Sequence, residues 1–231
     1  MQGLEKKTIE IDGESIICEY RLASKNAVII HGAGVSTQRK KYYPVVEELI
    51  KHNIGVVIFD LAGHGESTGK LSQSSLERRK QQTIEVIDSI IPKSSTLYLV
   101  GFSMGAQTVC DLLPHYEDSV EGILLGCPAI YRADVQDLPF GTDTFTAMLR
   151  EPNSWTTSRA THYLSNYEGK TVIGIGDKDD VIPQGVIEIL KAAAKNLRYI
   201  ELKGATHALM AWLPEHPDKL TELIDALAGD S

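Results

Sequence analysis

Ser103 stands in the run Y-L-V-G-F-S-M-G-A-Q-T-V, residues 98 to 109, with Gly101 and Gly105 two positions away on either side. A serine hydroxyl is a weak nucleophile at neutral pH. To attack a carbonyl it needs a base within hydrogen-bond reach and a third group that fixes the base's tautomer. The candidate bases are seven histidines. His31 and His64 sit in glycine-rich stretches, H-G-A-G and D-L-A-G-H-G-E-S. His207 sits in A-T-H-A, and His52, His115, His162 and His216 have no motif around them. Candidate orienting acids cluster in D-K-D-D-V-I-P, which offers Asp177, Asp179 and Asp180.

These groups need a scaffold, and the apolar pattern supplies one. K-T-I-E-I and E-S-I-I-C-E-Y are β-rich runs joined by Asp12-Gly13, which predicts a hairpin with a two-residue turn. After it the rhythm changes. Residues 27–32, 55–60, 97–102, 122–127, 171–176 and 198–202 are short apolar runs without alternation, the pattern of strands covered on both faces. Helical periodicity lies between them. Pro44 opens one helix, Ser74-x-x-Glu77 reads as a capping box for the next, a third begins near Ser103, another follows Pro183, and the last puts Leu220, Leu223, Ile224 and Leu227 on one face. Repeated βα units predict a mostly parallel sheet with helices on both faces, forming one domain over residues 1–231.

Residues 131–170 interrupt this alternation and are too long for a plain crossover. They hold six of the fifteen aromatic residues, among them Phe140, Phe145 and Trp155, so the segment has apolar surface of its own to bury. A small insertion of one to three short helices is expected. It leaves the sheet at the edge where Ser103 lies, which makes it a candidate lid and makes Phe140, Phe145 and Trp155 candidate pocket residues.

A serine at the C-terminal edge of a parallel strand, turning at once into a helix, is pushed out of the surface and needs small neighbours two positions away. G-F-S-M-G in that context resembles the nucleophile elbow of the α/β-hydrolase family. The resemblance runs from H-G-A-G to T-H-A and implies roles residue by residue. Ser103 is the nucleophile and His207 the base. Asp179, four residues before Pro183, is the orienting acid, with Asp177 and Asp180 as neighbouring rivals. Backbone N–H groups of Ala33 and Met104 form the oxyanion hole. His31 and His64 take structural, hydrogen-bonding roles. Within the family the chain is similar to small bacterial carboxylesterases, including the cinnamoyl and feruloyl esterase and monoacylglycerol lipase branches, and departs from many of them at Ala106, where a glycine is usual. The resemblance implies cleavage of small to medium acyl or aryl esters through an acyl-enzyme, without metal or organic cofactor.

Composition trims the alternatives. A net charge of −8 opposes nucleic-acid binding, and Arg78, Arg79 and Lys80 fall on a helix. The N-terminal residues carry no signal-peptide pattern and no stretch reaches the length of a membrane span, so a cytoplasmic protein with a small-molecule substrate is expected. Cys18, Cys110 and Cys127 are odd in number and without C-x-x-C spacing, which suits reduced core thiols. The same scaffold also carries thioesterases, amidases, perhydrolases and non-catalytic small-molecule receptors, and the sequence does not fix the oligomeric state.

Overall fold

The computed structural model of the chain describes residues 3–34 and 36–229. It opens with the expected hairpin, β1 (Glu5–Ile11) and β2 (Glu14–Arg21), turned at Asp12 and Gly13 with φ of 50° and 79°. Positive φ at both central residues gives the turn the twist of the strands it joins. β1 turns Glu5, Lys6 and Lys7 to solvent and buries only Ile9 and Ile11, as an edge strand does.

The six apolar runs are six strands whose ends differ from the sequence reading by two residues at most. They are β3 (Lys25–Ile30), β4 (Gly55–Phe59), β5 (Thr96–Phe102), β6 (Val120–Gly126), β7 (Lys170–Gly176) and β8 (Asn196–Leu202). β4 is buried at every position, whereas β8, at the far edge, alternates. The sheet runs β1-β2-β4-β3-β5-β6-β7-β8, with antiparallel pairing only at β1/β2 and β2/β4. β3 lies in the middle, with β4 on one side and β5 on the other. The connections that leave its neighbours therefore diverge, and a crevice opens at the C-terminal ends of β3 and β5.

The helices are α1 (Tyr43–Lys51), α2 (Leu76–Ile90), α3 (Gly105–Tyr116), α4 (Asp143–Arg150), α5 (Arg159–Asn166), α6 (Gln184–Ala193), α7 (Leu209–Trp212) and α8 (Pro217–Ala228). α1 and α8 pack together against the sheet, while α3 packs against α2 and α5, and α5 against α6. The cap of α2 differs from expectation by one residue. Ser75, in extended conformation, accepts the Arg78 N–H at 3.1 Å, so the Ser74–Glu77 box does not form. Glu77 instead gives its own N–H to the Gln136 carbonyl and its carboxylate to Lys80 and Gln81.

Between β6 and β7 the chain forms α4, α5 and two short 3-10 turns, Ala133–Val135 and Ser154–Thr157. Phe145 joins Leu76, Met104 and Val135 in a buried cluster separate from the main core, with Phe140 against its edge. Among the described residues no helix is long and apolar enough to cross a membrane.

Candidate active site

Ser103 follows β5 directly and has φ of 52°, a left-handed conformation that non-glycine residues adopt at a cost of ~1–3 kcal/mol. Its two glycines leave it room. A Cβ at Gly101 would meet the Gly105 carbonyl oxygen at 2.5 Å, and one at Gly105 would meet the Ile30 carbonyl oxygen at 2.2 Å. Any side chain at either position would therefore push β5 from α3, or α3 from β3. The strained turn is pinned by main-chain bonds: Ser103 N–H donates to Gly126 O at 2.9 Å, and its carbonyl accepts from Ala106 and Ala129.

From this position the Ser103 Oγ lies 3.0 Å from His207 Nε2, and His207 Nδ1 lies 2.9 Å from Asp179 Oδ2. The second oxygen of Asp179 accepts the N–H groups of Val181 and Ile182 at 2.9 and 3.0 Å. Burial by itself would raise this carboxyl group. Donation from Ile182, the Cys127 thiol, His207 and Val181 outweighs burial and holds it below the ordinary range, so it is ionised at neutral pH. An ionised Asp179 accepts from Nδ1–H, which leaves Nε2 with the lone pair facing Ser103. Its rivals point elsewhere. Asp177 accepts the Gly204 N–H at 2.6 Å, and Asp180 is exposed.

The loop after β3 runs alongside. A Cβ at Gly32 would fall 3.2 Å from that of Ser103. His31 is buried, and its Nε2 accepts the Leu61 N–H at 3.1 Å, which leaves Nδ1–H to donate to Gly32 O at 2.6 Å. Burial first, then Arg79 and His64, push its pKa well below 6.5, so it stays neutral and serves as a brace. Gly32 N–H donates to the Tyr42 hydroxyl at 3.3 Å, and Arg79 donates to His31 O. Further along, the buried Arg39 pairs with Asp60 and Glu19, tying this loop to the one after β4. The loop is thus fixed from several sides. Among the described residues the N–H groups of Ala33 and Met104 donate to no protein acceptor, and each belongs to a segment in contact with Ser103. His64 is buried edge-on to the His31 ring, at 4.6 Å between centroids, but contrary to expectation neither of its ring nitrogens has a hydrogen-bond partner among the described residues.

A cavity of about 440 Å³ opens over Ser103 and His207. Its walls come from Gly32–Gly34, Thr37, Lys41 and Tyr42 on one side and from Ala208–Ala211 on the other, with Phe102, Gly126 and Cys127 behind. This corrects the expected pocket, because none of Phe140, Phe145 and Trp155 lines it. Phe140 and Phe145 meet at 5.0 Å between ring centroids, tilted by 50°, and pack with Leu76, Val135 and the Met104 side chain, at the start of the elbow's helix. Trp155 lies over α6, where a Cβ at Gly185 would come within 3.3 Å of its ring. The insertion's aromatics had partners in the body, and burial against those partners takes them away from the crevice.

Three wall elements were not picked out from the sequence. Lys41 and Tyr42 lie in a 3-10 turn, Arg39–Tyr42, directly before α1, and Leu209 and Met210 in the four-residue α7. The apolar L-M-A-W run directly after T-H-A was the available signal. Cys127 was read only as a core thiol. It is buried, yet it lines the cavity with φ of 43°, and burial keeps its thiol protonated far above the usual range.

The fold has counterparts. The esterase from Thermogutta terrifontis superposes with a TM-score of 0.71 at 15% identity, covering 95% of this chain and 96% of that one. Est1E of Butyrivibrio proteoclasticus, solved with ferulic acid bound, superposes with a TM-score of 0.74 at 18% identity over 97% of this chain and 100% of its own. In sequence, the uncharacterized protein YfhR of Escherichia coli K12 is 27% identical over 204 residues, 85% of this chain and 68% of its own length. Residues 23–168 match the family model described as Serine aminopeptidase, S33. With well over half of its length matched and this sheet beneath it, the chain belongs to that family of α/β-hydrolases and is a hydrolase on that scaffold.

Proposed function

We propose that the protein is a serine esterase that cleaves carboxylic esters of small to medium acyl or aryl acids through a Ser103–His207–Asp179 triad. The carrying observation is the continuous relay from Asp179 through His207 to a serine on a strained turn at the floor of an open cavity. Ser103 attacks the ester carbonyl while His207 Nε2 takes its proton. The N–H groups of Ala33 and Met104 receive the developing oxyanion, and preorganised donors of this kind contribute about 2.7–4 kcal/mol each. His207 returns the proton to the leaving alcohol, and Asp179 stabilises the imidazolium. Water then repeats the sequence to release the acid.

The cavity chemistry favours esters over N-terminal peptide bonds. An aminopeptidase has to hold a substrate's α-ammonium, and a carboxylate is the natural partner for it. Among the described residues that wall this cavity there is no Asp or Glu, and Lys41 is the one fixed charge. We also infer that residues 131–170 form an insertion within one domain and act as a buttress for Met104 rather than a roof over the substrate.

A fluorophosphonate probe tests the nucleophile: wild type is labelled and Ser103→Ala is not. A panel of chromogenic esters of graded acyl length, with acyl thioesters and amino-acid anilides beside it, tests the substrate class. Faster turnover of the anilides than of every ester would overturn the ester reading.

A further inference from the structure

Cys127 directly follows β6, between the strands that carry Ser103 and Asp179, and its Sγ, a carboxylate oxygen of Asp179 and a ring nitrogen of His207 all lie within 4.8 Å of one another. Thiolate, imidazole and carboxylate together form a donor set that zinc-like ions accept in tetrahedral coordination. Ligand atoms around such an ion stand roughly 3.5 Å apart, so small side-chain rotations that bring the sulfur in and open the 2.9 Å His207–Asp179 contact reach bonding geometry. Access is open as well, since Cys127 and His207 both border the cavity. The left-handed backbone of Cys127 fixes the sulfur here, with its N–H tied to Gly174 O at 2.7 Å.

We propose that Cys127, His207 and Asp179 form an inhibitory binding site for thiophilic divalent cations such as Zn²⁺ and Cd²⁺. On binding, the Cys127 S–H bond breaks, its proton passes to solvent and a sulfur–metal bond forms, with no change of oxidation state. Coordination takes the His207 Nδ1 that otherwise donates to Asp179, and its proton moves to Nε2, which then has no lone pair for Ser103, so turnover stops until a chelator removes the metal. Hard cations such as Mg²⁺ and Ca²⁺ have no such affinity for a thiolate and leave turnover unchanged. The effect on turnover rests on the esterase reading, whereas the binding itself does not.

The test uses Co²⁺ as a spectroscopic probe and Zn²⁺, Cd²⁺ and Mg²⁺ in ester turnover. Wild type and Ser103→Ala are each expected to give a thiolate-to-cobalt charge-transfer band and to release one proton per ion, and Cys127→Ser to give no such band. Half-inhibition by Zn²⁺ should require at least about tenfold more metal in Cys127→Ser, and EDTA should restore wild-type turnover. Cys18 and Cys110 are buried outside the cavity, so a band in wild type reports Cys127 even if the variant does not fold. Absence of the band from wild type, equal Zn²⁺ sensitivity in a folded Cys127→Ser, or equal potency of Mg²⁺ overturns the proposal. A cobalt band in a protein whose Ser103 takes no fluorophosphonate before any metal is added overturns the esterase reading and leaves the metal site standing.

Discussion

Gly105→Ala tests whether close main-chain approach is what positions the proposed oxyanion donors, Ala33 and Met104. Gly105 opens α3, and a Cβ there would stand 2.2 Å from the Ile30 carbonyl oxygen and 3.0 Å from that of His31. Both oxygens are main chain at the end of β3, so no rotamer change relieves the contact. Either the first turn of α3 or the end of β3 has to retreat by roughly 1 Å. Met104 precedes Gly105 directly, and Ala33 follows His31 by two residues, so either movement displaces one donor relative to the other. Misplacement on the order of 1 Å costs about 10²-fold in rate. The overpacking costs ~1–3 kcal/mol of stability, which lowers the melting temperature by a few degrees in a chain of this size. The control is Gly185→Ala in α6, where the new methyl meets only the Trp155 ring at 3.3 Å and turnover should stay near wild type. The measurements are kcat on a chromogenic ester, the rate of fluorophosphonate labelling and thermal denaturation. A Gly105→Ala protein with wild-type turnover and an unchanged melting temperature would refute the reasoning.

Ser103→Ala and His207→Ala should each leave less than about a hundredth of wild-type ester turnover with an unchanged melting temperature, since the nucleophile and general-base contributions are worth about 10²-fold or more. Asp179→Asn should cut turnover by orders of magnitude because an amide favours the wrong imidazole tautomer, whereas Asp180→Asn, at an exposed position, should change it little. Met210→Ala should shift the acyl-length profile, while Phe145→Ala should leave the profile in place and destabilise the fold by ~3–5 kcal/mol, as read from chemical denaturation. His64 is pushed from the ordinary 6.5 to about 4 by burial and then by Arg79, so the unfolded chain takes up its proton first as pH falls. Its contribution is therefore complete above about pH 6.5 and lost toward pH 4, and His64→Gln should lessen the pH dependence of the melting temperature across that window, to which His31 adds in the same sense.

The strands and the elbow were legible because their signals are local. Uninterrupted apolar runs mark strands buried on both faces, and two glycines around a serine mark a turn that tolerates no Cβ. The cavity walls were not legible, because Tyr42 and Lys41 come from a segment without period and Met210 from a helix of a single turn. The destination of Phe145 was hidden for a different reason. Its aromatic character required burial somewhere, but its partners Leu76 and Met104 lie far away in sequence, and only the tertiary packing of α2 against the elbow brings them together. The cap of α2 failed by one residue because Ser74 and Ser75 both satisfy the local rule, and the extended backbone at Ser75 decided between them.

The order of the candidate site in the sequence follows from the sheet itself. β5, β6, β7 and β8 are consecutive neighbours, paired in parallel at Phe102–Gly126, Gly126–Gly174 and Gly176–Leu202. Each gives one residue just beyond its C-terminal end: Ser103, Cys127, Asp179 and His207. Parallel neighbours lie roughly 4.8 Å apart, so a short loop after each strand suffices to bring four side chains within contact of the next. The two nearest the centre, Ser103 and Cys127, both have positive φ, and each is held there by a bond to the neighbouring strand, Ser103 N–H to Gly126 O and Cys127 N–H to Gly174 O. Strain at the first position is thus supported by the second strand, and strain at the second by the third. A substitution that loosens β7 under Cys127 should therefore reach Ser103 through β6 without touching any residue of the cavity.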